Sequence, residues 1–168
     1  QPEDRELSLS HAEKAIVLVH DDGVLPLTDK KILYAGPDML FQDPGSTWLN
    51  VVDQTFADAL RLIDPEVDDV IWTLAPDPNL MFQEVMDKVL ADAPDVLVIG
   101  TIQGRFSIEQ QQMLSWLLDS VDIPVVHVIL GVPFDYFQSR DRVAAALAIM
   151  GSRSVMVETG ARILFGEV

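Results

Sequence analysis

The 168 residues carry 27 acidic against 11 basic side chains, for a formal net charge of −16, with no cysteine and 49% hydrophobic residues. The charge argues against a nucleic-acid surface, which needs clustered Lys and Arg, and the missing cysteine excludes disulfides, thiolate metal sites and thiol catalysis. Mean hydropathy is high at +0.23. Yet no apolar run approaches the ~18–20 residues of a membrane span, so the excess belongs to a core or a partner surface.

A chain of this length fits one domain, residues 1–168, burying roughly 70% of its unfolded surface. It begins at Gln1 without an initiator Met and closes on Leu164-Phe165-Gly166-Glu167-Val168 without a polar tail. Ends of that kind are expected of a piece excised from a longer polypeptide.

The N-terminal segment is open to two readings. Ala15–Val19 has the apolar content of a strand, but Leu9, Ala12, Ala15, Ile16 and Val19 also fit one helical face behind Ser8 or Ser10 as cap. The expectation adopted is helix. Five strand-like runs follow: Lys31–Gly36, Val70–Leu74, Asp95–Thr101, Pro124–Gly131 and, more weakly, Ala144–Met150. They are nearly continuous in Val, Ile and Leu without polar alternation, the mark of strands covered on both faces.

Helical periodicity fills the intervals. Trp48, Val51, Val52, Phe56, Ala59, Leu60 and Ile63 form one stripe, and Leu80, Met81, Val85, Met86, Val89 and Leu90 another. Asp77-Pro78 suits an N-cap followed by Pro at the first helical position. Ser107-Ile108-Glu109-Gln110 reads as a capping box opening a helix that runs to about Ser120. Strands alternating with helices predict an α/β fold: a three-layer α/β/α sandwich around a mostly parallel sheet of five or six strands.

The chemistry-bearing motifs that this fold class invites are missing. Pro37-Asp38-Met39 after the first clear strand matches neither a dinucleotide fingerprint nor a P-loop, and Gly100 and Gly104 read as ordinary turn glycines. No G-x-S-x-G elbow supplies a serine nucleophile. His11, His20 and His127 are far apart in sequence and lack ligand-spaced partners, so no metal and no cofactor are expected. His127, inside an apolar strand, reads as a satisfied core histidine, and His20-Asp21-Asp22-Gly23 as an acidic turn.

Ligands of open α/β sheets sit beyond the C-terminal strand ends. Among the loops there, Gln103, Arg105 and Phe106 combine an amide, a cation and an aromatic, a set able to touch a sugar hydroxyl or a carboxylate. Asp135, in Pro133-Phe134-Asp135-Tyr136, is a further rim candidate, weighed against a local cap.

Read in order, these segments resemble the second domain of glycoside hydrolase family 3. His20-Asp21-Asp22-Gly23-Val24-Leu25-Pro26-Leu27 is similar to its opening "Ndg-LLPL", Ala35-Gly36-Pro37 to its "iGP" turn, and Asp95–Thr101 to its "aDvvvvGt" strand. Pro124–Gly131 with Pro133-Phe134-Asp135 resembles "PvVvV…sPyD", with Phe134 in place of the usual Tyr, and Gly160–Glu167 resembles the closing "eAlArvLFGe". The resemblance spans essentially the whole chain and also favours helix for the N-terminal segment.

It implies an accessory domain of a retaining exo-glycosidase, with the Asp nucleophile in an N-terminal (β/α)8 barrel of the same polypeptide and carbohydrate as substrate. In the β-glucosidase branch the acid/base is a Glu on the loop after the "vvvGe" strand. Here that loop, Thr101–Phe106, has no carboxylate, and Glu109 lies beyond it in the predicted helix. The β-N-acetylglucosaminidase branch takes its acid/base from a His–Asp pair on a barrel loop, so the resemblance implies that branch. No catalytic residue is then expected among these 168, and Gln103, Arg105, Phe106 and Asp135 are at most the rim of a sugar pocket. The competing expectation is a stand-alone small-molecule-binding or structural module without catalysis.

Overall fold

The computed structural model describes residues 2–38, 54–72, 77–102, 104, 107–151 and 153–168. Chain order is α1 (Pro2–Ala15), β1 (Val17–Asp21), β2 (Ile32–Pro37), α2 (Phe56–Arg61), β3 (Asp68–Trp72), α3 (Pro78–Asp92), β4 (Val96–Thr101) and α4 (Ile108–Ser120). Then come β5 (Val125–Ile129), a 3₁₀ turn (Pro133–Asp135), α5 (Tyr136–Ser139), β6 (Ala145–Ala148) and α6 (Ser154–Leu164).

All six strands join one sheet in the order β1-β6-β5-β4-β2-β3. β2 through β6 pair in parallel, and β1 closes one edge antiparallel to β6. The three-layer sandwich read from the sequence is the fold observed. Every residue of β2, β4, β5 and β6 is buried, as expected of strands with helices on both faces.

Alternation along the strands sorts the core into two layers. Ile32, Tyr34, Val96, Val98, Val126, Val128, Ala145 and Leu147 face α2 and α6, meeting Phe56, Leu60, Val157, Ala161 and Leu164. Leu33, Ala35, Val70, Trp72, Leu97, Ile99, Val125 and Ala146 face α3 and α4, meeting Val85, Met113, Leu114 and Leu117.

Two caps form where the sequence places them. The Asp77 side chain accepts the amides of Asn79 and Leu80 at the start of α3, with Pro78 in the first turn. Ser107 accepts the Gln110 amide at the start of α4, 3.3 Å away. The reciprocal half of that capping box does not form, because the Ser107 amide donates to the Gly104 carbonyl. The Gln110 side chain instead brackets Ile102, accepting from its amide and donating to its carbonyl.

The N-terminal expectation needs correction. α1 begins ahead of Ser8 and Ser10 and ends at Ala15, and Val17–Asp21 is a strand. The Ser8 hydroxyl bonds back to the Asp4 carbonyl within the helix instead of capping it. Periodicity misleads because Ala12 and Ile16 are buried while Ala15 and Val19 are exposed, so the proposed helical face does not exist as one surface. Pairing with the buried strand β6 outweighs local propensity. Of the stripe proposed over Trp48–Ile63, Phe56, Ala59, Leu60 and Ile63 lie in or beside α2, whereas Trp48, Val51 and Val52 lie outside the described residues.

Candidate functional site

Among the five parallel strands the order β3-β2-β4-β5-β6 reverses direction between β2 and β4. That reversal opens a crevice at the C-terminal strand ends, the usual ligand position of such sheets. Tyr34 on β2 occupies the strand layer just below it. An added Cβ on Gly36 or Gly100 would collide with the Tyr34 hydroxyl, so both glycines serve close approach of the aromatic ring. The ring is fully buried against Phe56, with centroids 5.6 Å apart, and its hydroxyl has no hydrogen-bond partner among the described residues. Burial pushes its ionisation far above the usual phenol range, so Tyr34 stays neutral.

The loop after β4 and the turn after β5 meet beside this crevice. Thr101 ends β4, and its Oγ1 donates to Asp135 Oδ2 at 3.0 Å. The same carboxylate oxygen accepts the Gly104 amide at 2.9 Å. His127, mid-way along β5, places Nε2 2.9 Å from Thr101 Oγ1 and Nδ1 2.7 Å from Ser139 Oγ. Thr101, His127, Asp135 and Ser139 are all buried. The α4 side braces the loop as well: Gln111 Nε2 donates to the Gly104 carbonyl at 2.9 Å.

A hydroxyl, an imidazole and a carboxylate in hydrogen-bonded sequence suit nucleophilic catalysis. Here both the Ser139 hydroxyl and the His127 ring are 0% exposed, so no substrate atom can reach them. Burial holds the His127 pKa down at about 4, leaving it neutral near pH 7. The arrangement is a satisfied buried network, as the sequence reading of His127 expects, and the reach of the network to Asp135 was not foreseen.

Of the four rim candidates, Gln103, Arg105 and Phe106 lie outside the described residues. Asp135 is fully buried and turned inward, whereas Phe134 beside it is 50% exposed. Asp135 therefore holds Thr101 and Gly104, and in this chain its carboxylate is not offered to solvent. Gly104 has a role that the reading of an ordinary turn glycine missed: a Cβ there would lie 3.1 Å from the Asp135 carboxylate.

The acidic turn after β1 is structural. Asp21 Oδ1 accepts the Gly23 and Val24 amides at 2.9 and 3.0 Å, and His20 pairs with Asp22 at 3.2 Å near the surface. Among the described residues no group of three or more His, Asp or Glu side chains is placed to hold a metal ion, and no helix is long and apolar enough to cross a membrane.

No protein-family model matches the chain, and no curated protein matches it in sequence. Solved structures match it over its whole length. A glycoside hydrolase family 3 β-N-acetylglucosaminidase from Paenibacillus sp. str. FPU-7 superposes with a TM-score of 0.82 at 20% identity, covering 100% of this chain and 31% of that one. The fold is that of a domain found in glycoside hydrolase family 3 enzymes. A β-glucosidase from Listeria innocua, solved with glucose, gives 0.79 at 16% identity over 99% of this chain and 26% of that one. A fungal multi-domain family 3 β-N-acetylglucosaminidase gives 0.72 at 18% identity, covering 97% and 18%. The chain thus spans under a third of each of these proteins.

Proposed function

We propose that residues 1–168 are one accessory domain of a retaining exo-glycosidase of glycoside hydrolase family 3, with β-N-acetylglucosaminides as substrates. The nucleophile belongs to a (β/α)8 barrel elsewhere in the same polypeptide, and this domain lends at most a loop to the rim of the sugar pocket. The observation that carries the reading is the loop after β4. Thr101–Ser107 contains no Asp or Glu; of the carboxylates that reach it, Asp135 is buried against Thr101 and Gly104, and Glu109, in the first turn of α4, accepts from the Ser107 hydroxyl at 3.1 Å.

Retaining hydrolysis sets a nucleophile and an acid/base across the glycosidic bond, in most such enzymes two carboxyl groups about 5–5.5 Å apart. A loop without a carboxylate cannot supply the acid/base, which favours the branch that takes it from the barrel. Gln103 and Arg105 remain proposed rim contacts from sequence, with Phe106 as an apolar wall, and the buried Asp135 supports the loop from below.

The test is a titration of this chain with N-acetylglucosamine, followed by amide chemical-shift changes. Binding no tighter than millimolar is expected, because a rim alone buries little of a sugar. Micromolar binding would overturn the reading in favour of a stand-alone sugar-binding module.

A further inference from the structure

The hydrogen bonds around His127 have a direction. Thr101 spends its one hydroxyl proton on Asp135 Oδ2, so its oxygen can only accept from His127 Nε2. A neutral imidazole carries one N–H. With that proton on Nε2, Nδ1 must accept, and the Ser139 hydroxyl 2.7 Å away is its donor. The competing acceptor for Ser139, the Tyr136 carbonyl, is farther at 3.3 Å. Every donor in the series Ser139, His127, Thr101 therefore points toward Asp135, where the Gly104 amide also converges.

We infer that this one-directional chain is a lock that joins the loop after β4 to the turn after β5 as a single mechanical unit, with His127 held in its Nε2–H tautomer as the middle link. The two segments follow different strands and share no helix, so they could move separately. Asp135 gives Thr101 and Gly104 an acceptor from the neighbouring turn, and Ser139, at the end of the α5 helix that continues that turn, ties it back to the sheet through His127. Aligned hydrogen bonds polarise one another, and a low-dielectric interior strengthens each. The low pKa of His127 is consistent with this, since a doubly protonated ring could not accept from Ser139. Gly104 suits the junction, because a Cβ there would lie 3.1 Å from the carboxylate.

The tautomer is read directly from long-range ¹H–¹⁵N correlations of the imidazole in uniformly labelled chain. His127 as Nε2–H is the expected result, and Nδ1–H in the unmodified chain would overturn the proposal. In Thr101→Val the ring loses its acceptor and is expected to switch to Nδ1–H, with Ser139 donating to Tyr136 instead. Gly104 amide exchange should then accelerate by ~10-fold or more beyond any change in global unfolding. Thr101→Ser, which keeps the hydroxyl, should restore both readouts. Gly104 exchange in Thr101→Val that merely tracks global stability would also overturn the lock. If Thr101→Val does not fold, the native tautomer still tests the direction of the chain, and Gly104 exchange in Thr101→Ser that accelerates as if the hydroxyl were lost overturns the lock.

Discussion

The Asp135 carboxylate, on the turn after β5, accepts the backbone amide of Gly104, 2.9 Å away on the loop after β4. One buried side chain thus holds Gly104 and Thr101 at the end of the sheet where ligands of this fold class bind. Removing it in Asp135→Ala strands the Gly104 amide and the Thr101 hydroxyl without this acceptor, at roughly 1–3 kcal/mol for each buried donor left unpaired. Asp135→Asn keeps an acceptor oxygen and should lose less. Urea unfolding midpoints for the two variants check the order, and equal losses would contradict it.

Gly104→Ala probes the same contact from the other side. The added Cβ would lie 3.1 Å from Asp135, so the carboxylate must give way. A loss of about 1–3 kcal/mol is expected, as for overpacking elsewhere in protein interiors. No loss in chemical denaturation would show that the loop is not tightly held.

Tyr34 gives a prediction of opposite sign. Its buried hydroxyl lacks a partner, so Tyr34→Phe should leave stability unchanged or raise it by up to ~1 kcal/mol. Gly100→Ala, which forces the same ring out of place, should cost on the order of 1–3 kcal/mol. Thermal melts of both variants make the comparison, and a clearly destabilised Tyr34→Phe would mean that the hydroxyl does useful bonding in solution.

His127 makes stability depend on pH. Its pKa falls from 6.5 to about 4 on burial. Between those values the unfolded chain binds the extra proton and the folded chain does not, so stability rises with pH through that window. The contribution is complete above pH ~6.5 and lost progressively as pH falls toward ~4, amounting to roughly 3 kcal/mol. His127→Gln should flatten that part of the profile, measured as urea midpoints from pH 7 to 4 against the unmodified chain. An unchanged slope would contradict the burial of a neutral ring.

The two sheet edges differ in a way that predicts association behaviour. β3 is guarded by Asp68 and Asp69, paired with Lys88 and Arg61, and Lys88 holds the Asp68 carboxyl below its usual range. β1 instead exposes Val17, Leu18 and Val19, at 48%, 47% and 40%. An apolar open edge invites pairing with another chain. Leu18→Lys should raise the concentration at which the chain scatters light, while shifting stability by no more than ~0.5 kcal/mol. Unchanged scattering would show that β1 does not drive association.

The central layers were legible in the sequence because buried parallel strands leave an unmistakable record in Val, Ile and Leu. β2, β4 and β5 lie within a residue or two of the runs that announce them. The α3 and α4 caps were legible for another reason, since Asp77-Pro78 and Ser107 act locally. β1 was not, because an edge strand with three exposed apolar residues carries no alternation to separate it from a helix. The Thr101–His127–Asp135 network was hidden for a different reason. Its members belong to β4, β5 and the following turn, and only the parallel register, with Ile99 opposite His127, brings them together. A polar residue at the end of one buried strand and a His within the next was the available signal.

The proposed function puts the nucleophile outside these 168 residues. The most direct measurement traps the glycosyl-enzyme intermediate on the full-length polypeptide that carries this chain, using a slowly turned-over fluorinated N-acetylglucosaminyl fluoride, and locates the label by peptide mass spectrometry. The expected result is label on an Asp in a barrel peptide and none on any peptide of this chain. A label on any carboxylate among residues 1–168 would contradict it.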